Sequence, residues 1–113
     1  MRVGAGMSVD LEGSCVRFSD TINISNISAA HDILLSVIEG NSSVVIDIES
    51  LEEADLTFVQ LIESARRSAA ESGRSIQLSR AAEGAVLQVL QRGGFLDPED
   101  RDRTDFWLQG TNQ

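Results

Sequence analysis

The sequence has no tyrosine, one cysteine, one histidine, one proline and one tryptophan. Aromatics are 4% of it, against 42% hydrophobic residues in all. Its core must therefore be aliphatic, built from Leu, Ile, Val and Ala, which suits α/β packing better than an aromatic-rich barrel. The lone Cys15 has no partner for an internal disulfide, which fits a reducing, cytoplasmic setting. Its place in an alternating stretch reads as a buried structural thiol; a nucleophile or redox sensor is the other reading. A single His31 cannot assemble a Cys/His zinc set. It stands beside Asp32 with no Gly-x-Ser-x-Gly elbow, so an exposed helix position is expected rather than a catalytic triad. There is no Gly-x-Gly-x-x-Gly and no phosphate loop, and Gly93-Gly94 follows a helix-like stretch as a stop. No apolar run approaches the ~20 residues of a membrane span. No apolar signal core follows the Gly-rich opening Met1-Arg2-Val3-Gly4-Ala5-Gly6.

Positive charge is scarce as well. Nine basic residues face eighteen acids, giving a net charge of -9 and a pI near 4.4. Such a surface repels nucleic-acid backbones and anionic lipid, and speeds encounter with a basic partner. With 113 residues the chain has room for one domain. The expected domain runs over 8–110, with flexible ends at 1–7 and 111–113, and Met7 is a second candidate start.

What is present is an ordered set of patterns. Ser8-Val9-Asp10-Leu11-Glu12 and Ser14-Cys15-Val16-Arg17-Phe18 alternate around Gly13-Ser14, predicting a hairpin over 8–19. Ile22 and Ile24 continue an extended pattern. Ser25, Asn26 and Ser28 offer cap oxygens for a helix carrying Ala30, Leu34, Val37 and Ile38 at helical spacing, ended by Gly40-Asn41 in a left-handed turn. Ser43-Val44-Val45-Ile46-Asp47-Ile48 reads as a central strand buried on both faces. Glu49 to Ala54 reads as an acidic loop, its carboxylates solvated rather than metal-binding. Asp55 is expected to cap a second helix with Phe58, Leu61, Ile62, Ala65 and Ala69 inward and Gln60, Glu63, Arg67 and Ser68 outward. Gly73 closes it. A strand over 75–79 and a helix over 82–91 follow. The run Glu99-Asp100-Arg101-Asp102-Arg103 is expected to be solvated. The patch Phe106-Trp107-Leu108 reads either as cover for a sheet edge or as a docking patch. The order β-β-α-β-α-β-α predicts an α/β fold whose sheet is largely parallel beyond the hairpin.

The junction after the central strand is the most informative place, because functional loops collect at strand carboxyl ends and a helix N-terminus offers free amides. Its residues carry a resemblance. The stretch Val44-Val45-Ile46-Asp47-Ile48, Leu51, Ala54-Asp55-Leu56-Thr57, Leu61-Ile62, Ala65-Arg66-Arg67 and Gly73 resembles the core of STAS domains. So does Val86-Leu87-x-Val89-Leu90-x-x-x-Gly94-Phe95. The resemblance implies a mixed β-sheet with an N-terminal hairpin and helices mainly on one face. It also implies a non-enzymatic, protein-binding role like that of bacterial anti-sigma factor antagonists, which act on transcription by binding a kinase-like anti-sigma factor. The other roles it implies are an accessory subunit of an ABC-type lipid transport system and a component of chemotaxis or phosphorelay pathways.

Three departures fall on or near the family's switch. Leu56 stands where relatives carry the phosphorylated Ser, and Phe58 where they carry Gly. Asn23 stands where an upstream Asp is common. Thr57 keeps a hydroxyl one residue late, turned by ~100° on a helix; it is the candidate phosphorylation position, with a first-turn structural hydroxyl as the other reading. The resemblance therefore implies a partner-binding surface of Asn23, Ser25, Asn26, Asp55, Leu56, Thr57 and Phe58, without the usual Ser control. No metal or cofactor is expected, and a weak nucleotide site at the helix N-terminus stays open.

Overall fold

The computed structural model describes residues 7–109. The expectations for residues 1–6 and 111–113 lie outside them, while Met7 opens the first strand. The elements run β1 (Met7–Glu12), β2 (Cys15–Ile22), α1 (Ile27–Gly40), β3 (Ser43–Asp47), β4 (Leu51–Ala54), α2 (Leu56–Glu71), β5 (Ser75–Leu78), α3 (Gly84–Arg92) and α4 (Arg101–Leu108).

The hairpin forms as expected. β1 and β2 pair antiparallel with Glu12 opposite Cys15, and Gly13 takes the positive φ of 61° that the first position of this tight turn asks for. The sheet order is β1-β2-β3-β5, and β3 is an interior strand. Its pairs with β2 and β5 are parallel. Alternation sets one covered face. Val9, Val16, Phe18, Ile22, Val44, Ile46 and Leu78 are buried and join a single core with Leu34, Phe58, Ile62, Val86 and Leu90 from the helices. α1 packs on α2, β2 and β3; α2 also meets β5 and α3.

β3 departs from the expected two-sided burial. Val44 and Ile46 are buried, Val45 only in part, and Asp47 points to the other face. A continuous β-branched run fits a half-covered pleat as well as a fully covered one. On the open face Arg17 Nε donates to Asp47 Oδ2 at 3.0 Å. That hydrogen bond and the attraction of Asp47 push the guanidinium pKa of Arg17 above its ordinary value.

The expected acidic loop is largely a strand. β4 pairs parallel with β2 beyond β3, with Asp20 opposite Leu51 and Ile22 opposite Ala54. β3 and β4 are thus successive stretches alongside the same neighbour, separated by a bend that adds residues to the register. Asp20 absorbs the irregularity with φ 67°, a conformation Asp tolerates better than most side chains, and its N–H donates to Ser50 O at 3.2 Å. Glu52 and Glu53 point outward while Leu51 is buried, so charge hid the strand from a composition reading.

Both ends of α1 are fixed by side chains. Asn26 stands at the N-cap but turns inward: its Oδ1 accepts from Asn23 N–H and its Nδ2 donates to Thr21 O, each at 2.9 Å. At the other end Asn41 is extended, not left-handed. Its Nδ2 donates to Val37 O, and Arg74 Nη1 donates to Ile38 O, Glu39 O and Asn41 O.

The last helix corrects two expectations. The charge run is not wholly solvated, because α4 begins inside it: Asp100 accepts from Arg103 N–H, and the Arg103 side chain turns inward. Glu63, expected on the outer side of α2, is 8% exposed beneath α4. It accepts from Arg66 and Arg103 at 2.6 Å each and from Trp107 Nε1 at 3.2 Å. These donors hold a carboxylate that burial alone would penalise. Trp107 is fully buried, and its carbonyl accepts from Ala82 N–H at 2.7 Å. Gln109 Nε2 donates to Leu78 O at 2.7 Å. The Phe106-Trp107-Leu108 patch therefore covers the β5 end of the core. α3 starts at Gly84, two residues later than its pattern suggested, because Ala82 is taken up by this contact.

Candidate functional site

The junction brings two distant loops together through one carboxylate. Asp55 caps α2 as expected: its Oδ1 accepts from Thr57 N–H at 3.0 Å and from the Thr57 hydroxyl. Its Oδ2 accepts from Ile24 N–H at 3.0 Å, across 31 residues of chain. The β2–α1 loop and the first turn of α2 are thereby fastened side by side. Within that loop Asn23 Oδ1 accepts from Ser25 N–H, a local turn that Asn side chains form readily.

The expected site residues divide into surface and support. Ser25 and Leu56 are exposed, while Asn23, Asp55 and Thr57 are half-buried. Asn26 and Phe58 are buried. Phe58 meets Phe18 edge-on with ring centroids 5.8 Å apart, so it seats the first turn of α2 on the sheet and presents nothing outward. One residue was missed. Ile24 is 76% exposed at the tip of the loop, and Leu56, 44% exposed, follows Asp55 directly. The signal was an isoleucine set among Asn23, Ser25 and Asn26, read instead as the end of an extended run. Acidic side chains lie close by in sequence: Glu52 and Glu53 are exposed on the strand leading into Asp55.

His31 is exposed, with its Nδ1 3.4 Å from Oδ1 of the neighbouring Asp32. Among the described residues no group of three or more His, Cys, Asp or Glu is placed to hold a metal ion, and no helix is long and apolar enough to cross a membrane. Cys15 is a half-buried free thiol on the open face of the sheet.

Comparison with known proteins agrees with the fold. An anti-sigma factor antagonist from Mycobacterium paratuberculosis superposes with a TM-score of 0.65 at 14% identity, over 89% of this chain and 92% of that one. Mglu, also known from a crystal structure, superposes with a TM-score of 0.52 at 20% identity; 68% of this chain is covered but only 20% of that one. At these identities the likeness is one of fold. No curated protein matches the chain. The family model described as "Mlab, STAS domain" matches residues 7–97, which takes in the hairpin, the whole junction and α3, and stops short of α4. The chain belongs to the STAS domain family.

Proposed function

We propose that this protein is a non-catalytic regulatory module of the anti-sigma factor antagonist kind, binding a protein partner in bacterial signal transduction in the cytoplasm. The observation that carries the reading is the pair Ile24 and Leu56. Two large apolar side chains stand exposed on either side of the Asp55 bond that fastens their loops. Apolar side chains held out from a rigid support are what a protein partner can bury. Asn23, Ser25 and Asn26 shape one half of the surface; Asp55, Leu56, Thr57 and Phe58 shape the other.

Binding is constitutive in this reading. Leu56 has no hydroxyl to phosphorylate, and the Thr57 hydroxyl is engaged by Asp55. A phosphate there would stand against that carboxylate. Incubation with ATP and cognate kinases leaves the mass of the protein unchanged; a phosphate found on Thr57 contradicts this.

The decisive experiment is affinity capture with wild type and Leu56→Glu side by side. The reading expects a specific partner that the variant loses while keeping its fold. An identical partner set in both moves the interface away from the junction. The partner's identity also separates an anti-sigma factor from the ATPase subunit of a lipid transport system or a phosphorelay protein.

A further inference from the structure

Ile24 and Leu56 stand at the heads of α1 and α2, and a third large apolar side chain, Leu35, is 43% exposed further along α1. Beside Leu35 a cleft of about 260 Å³ runs between the two helices. Leu34, Leu35 and Ile38 of α1 and Leu61 and Ala65 of α2 give it apolar walls, and Ser64 and Ser68 form its α2 rim. Leu56, Gln60, Ser64 and Ser68 step along one i, i+4 ridge of α2, so the cleft continues the line that begins at Leu56.

The two helices are fastened at both ends. Asp55 holds Ile24 N–H at their start, and Arg74 holds the carbonyls of Ile38 and Glu39 at their finish. The cleft between them is therefore preformed, and its serine rim lacks the bulk to keep a third helix away. Charge narrows what can enter. No arginine or lysine stands between Arg17 and Arg66, while nine acids do. Asp32 and Glu39 on α1 and Glu52 and Glu53 on β4 are exposed, and none of these four carboxylates meets an arginine among the described residues. A second copy of the chain would bring the same acids to the same face, so charge opposes self-association here.

We propose, resting on the reading above, that the partner lays a basic amphipathic helix along the α1–α2 cleft. Its apolar stripe covers Leu35, Leu61 and Ala65, and its flanking lysines or arginines face Asp32 and Glu39. Apolar anchors at helical spacing seated in a groove are a recurrent way for one protein to hold a segment of another. The interface then extends from Ile24 and Leu56 down both helices.

Amide NMR titration of the full chain tests it with two synthetic 14-residue peptides. One carries leucines at i, i+3, i+4 and i+7 with lysines between them; the other has glutamates in place of the lysines. Saturable shifts are expected at Leu35, Leu61, Ser64, Ala65 and Ser68 with the lysine peptide, which gains helical circular dichroism as it binds. Leu35→Glu and Ser68→Arg each weaken it at least about tenfold. Both positions are exposed, and circular dichroism of each variant checks its fold. Equal binding of the glutamate peptide, shifts centred outside the cleft, undiminished binding by both variants, or a dimer of the chain that Leu35→Glu dissociates overturns the proposal. Affinity capture separates it from the reading it rests on. A partner lost by both Leu56→Glu and Leu35→Glu supports the extended interface; one lost only by Leu56→Glu leaves the partner-binding reading standing and removes the cleft from it.

Discussion

Asp55 does two jobs with its two oxygens, and they differ in how far they reach. One closes the local turn that starts α2; the other holds Ile24 N–H from a loop far away in the chain. Asp55→Ala should cost about 1–2 kcal/mol, the usual range for a lost cap with a second acceptor gone as well. Urea unfolding of wild type and variant measures it. Leu56→Glu, exposed and without a packing role, should stay within about 0.5 kcal/mol of wild type in the same experiment. The cap was legible in the sequence because cap chemistry is local: an acid precedes an apolar helical stripe. The bond to Ile24 was not, since nothing in a sequence states which amide a second oxygen will meet 31 residues away. Asn26 shows the converse. Its residue type announced a cap, yet its amide found Asn23 N–H and Thr21 O instead and makes no side-chain bond to the first turn of α1.

α4 is held by one buried carboxylate. Glu63 collects Arg66, Arg103 and the Trp107 indole, Arg66 also lies 4.4 Å from the Phe106 ring centre, and Trp107 fills the end of the core. Glu63→Ala should therefore destabilise the protein by about 3 kcal/mol, because it leaves two guanidiniums facing an emptied, low-dielectric site. As Trp107 is the only tryptophan, its emission should shift to the red when α4 loosens, and urea titration followed by fluorescence reads both effects. The helix was hidden in the sequence by its own charges. Arg101, Asp102 and Asp105 are indeed solvated, but Arg103 is half-buried, and its partner lies 40 residues earlier. β4 was hidden the same way by Glu52 and Glu53. By contrast β2, α1 and α2 were plain from the spacing of their apolar residues, and β3 from its β-branched run, although that run overstated how much of β3 is covered.

At the scale of the whole molecule the sheet has a covered face and an open one. The open face is polar, with Arg17 opposite Asp10 on β1 and bonded to Asp47 on β3. Arg17 titrates above its ordinary value because Asp47 stabilises its charge. A raised pKa contributes stability that is fully present below the unfolded value and lost only as pH rises through the folded one, which for arginine is strongly alkaline. The effect of Arg17→Met on the unfolding midpoint should therefore be constant from pH 6 to 9; a difference that changes sign or vanishes within that window contradicts it.

The placement of α4 bears on how copies of this chain could meet. With Leu78 O taken by Gln109 and Trp107 packed at the same end, β5 is a poor template for an incoming strand. β1 is the outer strand at the opposite side of the sheet. Two copies joined β1 to β1 would consume the edge that made the joining feasible. Association through the β1 edge alone therefore closes at pairs.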